Sequence, residues 1–236
     1  MNPITFFWKS SIGKKWLIAL TGLVLIGYVI GHLIGNLQIF LKPEKINAYA
    51  VFLHSMPGAL WAIRAFLIAC LVLHVVTTLK LVAENRAARP VGYAMVKRIQ
   101  STWASRTMAI SGLIVLAFIV FHILHFTTRS IDPALHIVDP EHKNGVLHDE
   151  YDVYTMIITG FSHHPLITGF YLLSLFLLAL HLSHGFSSLL QTVGINSKKT
   201  MHPISVGGRA LAWLLFAGYA FIPIAVWIHL LNLPQP

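Results

Sequence analysis

The 236 residues are 56% hydrophobic and only 11% charged, and their mean hydropathy is +0.71. This composition excludes an ordinary soluble protein and predicts a polytopic membrane protein with a formal net charge of +9. The one cysteine, Cys70, lies in an apolar run, so a disulfide framework and a cysteine metal site are excluded, and any redox metal must use histidine.

Five apolar runs are long enough to cross a bilayer, and in lipid they must be helices, because open strands would leave backbone groups unpaired. The runs cover about residues 16–40, 59–82, 107–128, 165–190 and 208–231. The first run follows a basic start and is too long for the core of a cleaved signal, so we expect a retained span. The sequence thus predicts an all-α bundle of five transmembrane helices in one domain, residues 1–236.

Basic residues are distributed unequally between the two sides of this bundle. Twelve precede span one, join spans two and three, or join spans four and five, whereas five lie on the other side. The positive-inside rule therefore predicts a protein of the cytoplasmic (inner) membrane, with its N-terminus cytoplasmic and its C-terminus outside. Its basic cytoplasmic face is expected to attract anionic membrane lipid and suits an acidic soluble partner. We expect no nucleic-acid partner.

The connection between spans three and four is long and rich in histidine. It contains His136, His142, His148, His163 and His164. Their spacing follows no ligand pattern, so an ordinary polar outer loop is favoured over a metal site. Within this connection, Tyr151 to Phe161 mixes apolar residues with tyrosine and threonine and is a candidate for a segment along the membrane interface.

The predicted spans contain histidines but no Asp or Glu, which argues against an ion-coupled transporter or a carboxylate proton relay. The interior histidines are His32, His74, His122, His125, His181 and His184. An ionisable side chain at membrane depth is expected to face the bundle interior and to serve a function. The alternative is a set of neutral imidazoles that are hydrogen-bonded across helices.

These histidines fall at two depths. With a rise of 1.5 Å per residue, His32 lies ~12 Å and His74 ~22 Å below the outer surface, so the levels differ by roughly 10 Å. His122 shares the level of His32. His181 matches the level of His74 slightly better when measured from the outer start of span four, and His184 does when measured from its inner end. Two ligands at each of two levels are what two haems stacked across a membrane require.

A planar haem also needs space between helices and basic partners for its propionates. Three glycines spaced four residues apart lie near His32 and offer such space: Gly27, Gly31 and Gly35. Such a row also serves helix packing without any cofactor. Gly185 lies beside His184 in the same way. The candidate propionate partners, each of which also suits an ordinary boundary position, are Arg64 and Arg129 for the outer haem and Lys80, Arg106 and Arg209 for the inner haem.

Several tracts resemble one family. Tyr171 to Asn196, with its HLSHG motif, resembles the fourth span of the single-chain, di-haem cytochrome b membrane-anchor subunit of succinate dehydrogenases and fumarate reductases. GHLIGNLQIF in span one, SRTMAISGLIVLAFIVFHILHF in span three and the five-span layout are similar to the same family. The resemblance covers essentially the whole chain. It implies an anchor that binds a flavoprotein subunit and an iron–sulphur subunit on its cytoplasmic face, carries two bis-histidine haems b and reacts with quinone.

Carried over by motif, the resemblance implies iron ligands at His32 and His122 for the outer haem and at His74 and His184 for the inner haem. In the family the histidine followed directly by glycine is the ligand, which selects His184 over His181. Some members carry a carboxylate near this histidine that is thought to assist proton transfer. Here Leu182 and its neighbours are apolar, which argues against such a path.

The quinone is expected to be menaquinone and to react near the outer haem or near the iron–sulphur partner. Candidates on the outer side are His54, Trp61 and Arg64, of which His54 can exchange protons near neutral pH. Each also suits an interfacial position without a ligand.

The sequence therefore predicts the cytochrome b anchor of a succinate:quinone or quinol:fumarate oxidoreductase. Such a subunit would serve electron transport in a respiratory chain and in the tricarboxylic acid cycle, with the dicarboxylate chemistry left to the flavoprotein. One alternative is the di-haem cytochrome b subunit of a hydrogenase or formate dehydrogenase. The other is a haem-free channel or anchor.

Overall fold

The fold is helical throughout the part of the chain that the structure describes. The structure is a computed structural model, and it describes residues 2–88, 102–132, 135, 152–162, 164–195, 197 and 199–233. No strand occurs among these residues, which confirms the predicted all-α class. Most histidines of the predicted outer loop lie outside the described residues, namely His136, His142, His148 and His163.

Eight helices form this part of the chain. They are α1 Pro3–Lys9, α2 Ser11–Asn36, α3 Pro43–His54, α4 Pro57–Ala87, α5 Trp103–His122, α6 Val153–Ser162, α7 Pro165–Thr192 and α8 Met201–Trp227. Helix α2 continues as a 3-10 turn, Leu37–Phe40, and α5 continues as a π-helical turn, Ile123–Thr127.

Five of the helices are long and apolar enough to cross a membrane. They are Ser11–Phe40, Pro57–Ala87, Trp103–Thr127, Pro165–Thr192 and Met201–Trp227. Each coincides with one predicted span, so the prediction of a five-span, multi-pass chain is confirmed by helix length and composition. Four helices begin before the apolar runs do, because a helix continues past the apolar stretch into its polar ends. The last helix ends early, at Trp227, close to His229, which adopts a left-handed conformation (φ 57).

The extended helix ends bring one carboxylate into a spanning helix. Glu84 lies beyond the predicted end of span two but within α4, and it forms an ion pair with Lys14 of α2. The Lys14 side chain is 1% exposed, and its Nζ also donates to the carbonyl of Lys9 (3.3 Å). Glu84 lies in the polar end of α4, beyond the apolar run of about residues 59–82, so the expectation that no acid falls within a predicted span stays a prediction. The carboxylate is needed there because a buried ammonium group is costly unless it is paired.

The chain separates into two compact units, and each of the five long helices contributes residues to both. The first unit consists of Met1–Val29, Arg64–Leu113 and Leu178–Leu214. The second unit consists of Ile30–Ile63, Ile114–Leu177 and Leu215–Pro236. The organisation of residues 1–236 as a single domain stays a prediction.

Within the second unit, the short helices α3 and α6 pack on each other. Asn47 Nδ2 of α3 donates to Asp152 Oδ1 at the start of α6 (3.0 Å). At the other end of α6, the carbonyl of Phe161 accepts from Trp227 Nε1 (2.9 Å). Helix α6 is buried along most of its length. It occupies the predicted interfacial segment, Tyr151 to Phe161, whose position relative to a membrane stays a prediction.

Candidate functional site

The interior histidines form one cluster in each unit. The His32 cluster, in the second unit, consists of His32, His122, His125 and Tyr171. The His74 cluster, in the first unit, consists of Thr21, His74, Ser111 and His181. The predicted outer pair falls in one unit, and all candidates for the predicted inner pair fall in the other.

In the His32 cluster, two imidazoles from different helices face each other. The ring centroids of His32 in α2 and His122 in α5 are 5.9 Å apart, with an angle of 76° between the rings. Two imidazoles that bind one metal from opposite sides, with metal–nitrogen bonds of about 2.0–2.1 Å, have centroids roughly 6 Å apart. Asn36 Nδ2 lies 3.4 Å from His32 Nε2 and donates to it, so this nitrogen is unprotonated and its lone pair accepts from the amide. Iron bound at Nε2 would replace this hydrogen bond.

Tyr171 of α7 forms hydrogen bonds to the histidines of α5 and its π-helical extension. Its hydroxyl lies 3.2 Å from His122 Nδ1 and 3.0 Å from His125 Nδ1. A hydroxyl has one hydrogen, so Tyr171 can donate to only one of these nitrogens and accepts from the other. Acceptance from His122 Nδ1–H leaves His122 Nε2 unprotonated, the form in which imidazole binds iron.

His125 differs from His122 although the two are close in sequence. The His125 side chain is 0% exposed, and its Nε2 has no hydrogen-bond partner among the described residues. The ring that lies opposite His32 belongs to His122. The predicted choice of His122 over His125 is therefore consistent with the geometry of the cluster.

In the His74 cluster, two histidines have the same kind of surroundings. His74 Nδ1 of α4 lies 3.2 Å from Thr21 Oγ1 of α2. His181 Nδ1 of α7 lies 3.4 Å from Ser111 Oγ of α5. His181 and His74 are also close enough to interact electrostatically. The His74 cluster thus contains two imidazoles, each held by a hydroxyl from a neighbouring helix.

His184 takes a different position. It is half-buried on α7 and interacts electrostatically with His181, one helical turn away. Among the described residues, no hydrogen bond joins His184 to α2, α4 or α5. The sequence prediction of His184 depended on the glycine that follows it, whereas the contact with Ser111 belongs to His181.

The predicted propionate partners divide between the units. Lys80, Arg106 and Arg209 lie in the first unit, with the His74 cluster, and Arg129 lies in the second unit, with the His32 cluster. Arg64 was assigned to the outer haem but belongs to the first unit. The Lys80 ammonium lies 4.3 Å from the ring centroid of Trp8 and therefore forms a cation–π interaction with this ring.

The predicted quinone residues also fall in different units. His54 and Trp61 belong to the second unit and Arg64 to the first. His54, the last residue of α3, donates from Nδ1 to the carbonyl of Ala50 (2.8 Å), which leaves its Nε2 with a lone pair. Trp61 on α4 is 65% exposed.

Space for a bound group exists beside some of the predicted glycines. A methyl group added at Gly27, Gly31 or Gly185 would meet no atom within 4 Å. At Gly35, by contrast, it would lie 2.9 Å from the Tyr49 ring, so Gly35 serves helix packing. Gly35 thus takes the packing role, whereas a role of Gly27 and Gly31 beside a bound group stays a prediction.

The paired imidazoles are donors of the kind by which proteins hold haem. Among the described residues, no group of three or more His, Cys, Asp or Glu side chains could hold a metal ion. His32 with His122 would supply two imidazole ligands to a cofactor that brings its other ligands with it, and so would His74 with His181. The chemistry of these side chains is in this sense compatible with haem.

Two features of these clusters were missed in the sequence. One had a signal: TGLVLIGYVIGH (21–32) and SGLIVLAFIVFH (111–122) share a hydroxyl residue, a glycine and, after nine residues, a histidine. The other, Tyr171, had none, because a tyrosine in an apolar run is common in a membrane helix.

The fold and its two clusters define a multi-pass helical membrane protein with paired interior histidines. Comparison of the chain with family models, with curated proteins and with solved structures found no match.

Proposed function

We propose that this chain is the di-haem cytochrome b anchor subunit of a succinate:quinone or quinol:fumarate oxidoreductase. The observation that carries the proposal is the pair His32 and His122, which come from different helices and have ring centroids 5.9 Å apart. This spacing suits a single iron bound from both sides. The family assignment is supported by the HLSHG and GHLIGN motifs and by the five long helices.

We assign the second haem to His74 and His181 rather than to His74 and His184. His181 has the same surroundings as His74, namely a hydroxyl at Nδ1 and a glycine beside the ring. Equivalent surroundings are expected for the two axial ligands of one metal, because the partner of Nδ1 sets which nitrogen is free to bind.

The haems would supply one-electron redox chemistry between an iron–sulphur partner and membrane quinone. The chain binds iron through imidazole, and it orients His122 through Tyr171. The half-exposed Glu84, paired with Lys14, is the single carboxylate among the described residues of the five long helices. Charge would therefore cross the membrane through the paired imidazole sites rather than through a carboxylate relay.

The basic residues of the first unit suit the docking of acidic soluble partners. Lys14 is buried in its ion pair, but other basic side chains of this unit are exposed: Lys9, Lys15, Arg86, Arg106, Lys199 and Arg209. A surface whose charges all have one sign attracts and orients a partner of opposite charge. This supports an iron–sulphur subunit and a flavoprotein as the partners.

The first experiment tests the reaction. Membranes that contain the chain are treated with succinate, formate or hydrogen, and absorbance of b-type haem is recorded. The proposal predicts reduction by succinate and co-purification of a covalent flavoprotein and an iron–sulphur protein. Reduction by formate or hydrogen alone would contradict it and indicate the cytochrome of another dehydrogenase.

The second experiment tests the ligands by haem content per purified chain. We expect His32→Ala, His74→Ala, His122→Ala and His181→Ala each to lose one haem, whereas His184→Ala keeps both. His202→Ala, on an exposed side chain of α8, is the control and keeps both. If His184→Ala loses a haem and His181→Ala does not, the assignment of the second haem is wrong.

A further inference from the structure

Helices α2 and α5 each present a hydroxyl residue followed by glycine to a histidine of another helix. Thr21 and Gly22 of α2 contact His74, and Ser111 and Gly112 of α5 contact His181. We propose that Thr21 and Ser111 are positioning residues for one haem, since their hydroxyls accept the Nδ1–H of His74 and His181 and leave both Nε2 atoms for iron. This inference rests on the proposed function.

The direction of these hydrogen bonds follows from the other contacts of each hydroxyl. Thr21 Oγ1 donates its one hydrogen to the carbonyl of Leu17 (2.6 Å), with the carbonyl of Ile18 also near (3.2 Å). Ser111 Oγ donates to the carbonyl of Met108 (3.2 Å). With its hydrogen on a backbone carbonyl, each hydroxyl accepts from the imidazole. The backbone carbonyls of Ile18 and Met108 are further acceptors for His74 and His181. We therefore assign the hydrogen of both rings to Nδ1 and the lone pair to Nε2.

The adjacent glycines let the two rings lie close to the partner helix. A methyl group at Gly22 would lie 3.3 Å from His74 Cε1, and one at Gly112 would lie 3.2 Å from His181 Cε1. Both distances are shorter than ordinary van der Waals contact, so a side chain at either position would displace the imidazole by a few tenths of an ångström. Hydroxyl and glycine together thus set the tautomer and the position of each ring.

Burial makes these hydrogen bonds effective. Thr21 is 7% exposed and Ser111 is 4% exposed, so water does not compete freely for the imidazole N–H. Partners of this kind, on the far nitrogen of a metal-binding histidine, typically change metal affinity 10–100-fold when they are removed.

The two contacts also repeat in the sequence. In α2 and in α5 the hydroxyl residue precedes a histidine of the His32 cluster by eleven positions: Thr21 precedes His32, and Ser111 precedes His122. Eleven residues are about three turns, so each hydroxyl lies on the same helix face as its histidine. In this proposal, one face of each helix therefore carries a ligand for one haem and an acceptor for a ligand of the other haem.

The test uses the purified complex, with haem content, haem dissociation and midpoint potential as readouts. We expect the haem bound by His74 and His181 to dissociate 10–100-fold more readily in Thr21→Val and in Ser111→Ala than in the wild type. Its midpoint potential should rise, because an imidazole that no longer donates from Nδ1 is less basic and stabilises ferric iron less. A tenfold preferential loss of ferric affinity corresponds to about 59 mV for one electron.

Matched variants separate this effect from loss of folding. Thr21→Ser and Ser111→Thr keep the hydroxyl and should retain the haem with an unchanged potential. Thr77→Val and Ser174→Ala remove buried hydroxyls that have no partner among the described residues, and should leave both haems unchanged. Haem is measured per chain that reaches the membrane, so poor accumulation of one variant does not affect the ratio.

Unchanged haem dissociation and potential in both Thr21→Val and Ser111→Ala would overturn the inference. So would equal effects of the Thr77 and Ser174 controls, or effects of the two variants on different haems. In each of these cases, the proposed function would still stand if the wild-type complex contains two haems. A wild-type complex without b-type haem would contradict the proposed function itself.

Discussion

The hydroxyl of Tyr171 is the most specific support for the His32 cluster, and its removal by Tyr171→Phe should have two measurable effects. The ring itself is packed edge-on by Phe118 and Phe161, each with a centroid distance of 5.1 Å, so phenylalanine should keep the packing. What is lost is the partner of His122 Nδ1 (3.2 Å) and of His125 Nδ1 (3.0 Å).

Each buried polar atom left without a partner costs about 1–3 kcal/mol, so the two nitrogens together should lower the free energy of unfolding by about 2–6 kcal/mol. For a chain of this size, that corresponds to a decrease in Tm of roughly 4–24 °C. His122 would also lose the group that fixes its tautomer, so the haem bound by His32 and His122 should dissociate about 10–100-fold more readily.

Thermal unfolding of the apo-chain in detergent measures the first effect, and haem dissociation from the complex measures the second. Tyr49→Phe is the matched control, since the Tyr49 side chain is 36% exposed and its hydroxyl has no hydrogen bond to another described residue. A Tyr171→Phe variant with the Tm and haem retention of the wild type would refute the role given to this hydroxyl.

Three further predictions concern residues outside the two histidine clusters. Glu84→Gln should destabilise the chain by about 1–3 kcal/mol in denaturant titrations, because it leaves the buried Lys14 ammonium without its carboxylate, although the 43% exposure of Glu84 limits the cost. Trp227→Phe removes the indole N–H that joins α8 to α6, and it should lower the free energy of unfolding by about 1–2 kcal/mol with the five helices retained in circular dichroism. Burial raises the pKa of Tyr154, so its contribution to stability is complete below pH ~10 and is lost as pH rises through the folded-state pKa. Unfolding measured from pH 8 to 12 should accordingly show a smaller alkaline loss for Tyr154→Phe than for the wild type, and equal losses would contradict this.

The spans were predictable because length and apolar composition alone require helices in lipid. The ends of the spans were less predictable, because a hydropathy pattern does not show that Lys14 and Glu84 lie inside helices and form an ion pair. In the sequence these two residues look like separate boundary residues. Their ion pair becomes visible only when α2 and α4 are packed together.

The separation of the histidines into two groups was also predictable, since depth follows from position along a helix. The choice between His181 and His184 was not. Three residues along α7 change depth by about 4.5 Å, which is less than the uncertainty in the helix ends, and they change the direction of the side chain by about 60°. What distinguishes His181 is its contact with Ser111, which depends on how α7 is rotated against α5.

Some predictions lie beyond the described residues or beyond the fold. The membrane that the chain occupies, the direction of its termini and the quinone site at His54, Trp61 and Arg64 stay predictions. Five basic residues used for the orientation are also outside the described residues, namely Arg89, Lys97, Arg98, Lys143 and Lys198.

The central claim is that paired imidazoles from different helices hold two haems b. The most direct test is the ratio of haem to chain in the complex purified with haem available, measured by pyridine haemochrome absorbance against quantitative amino-acid analysis. We predict two b-type haems per chain, both with low-spin, bis-imidazole spectra. A purified, folded chain with no b-type absorbance would contradict the claim and indicate that the interior histidines serve helix packing alone.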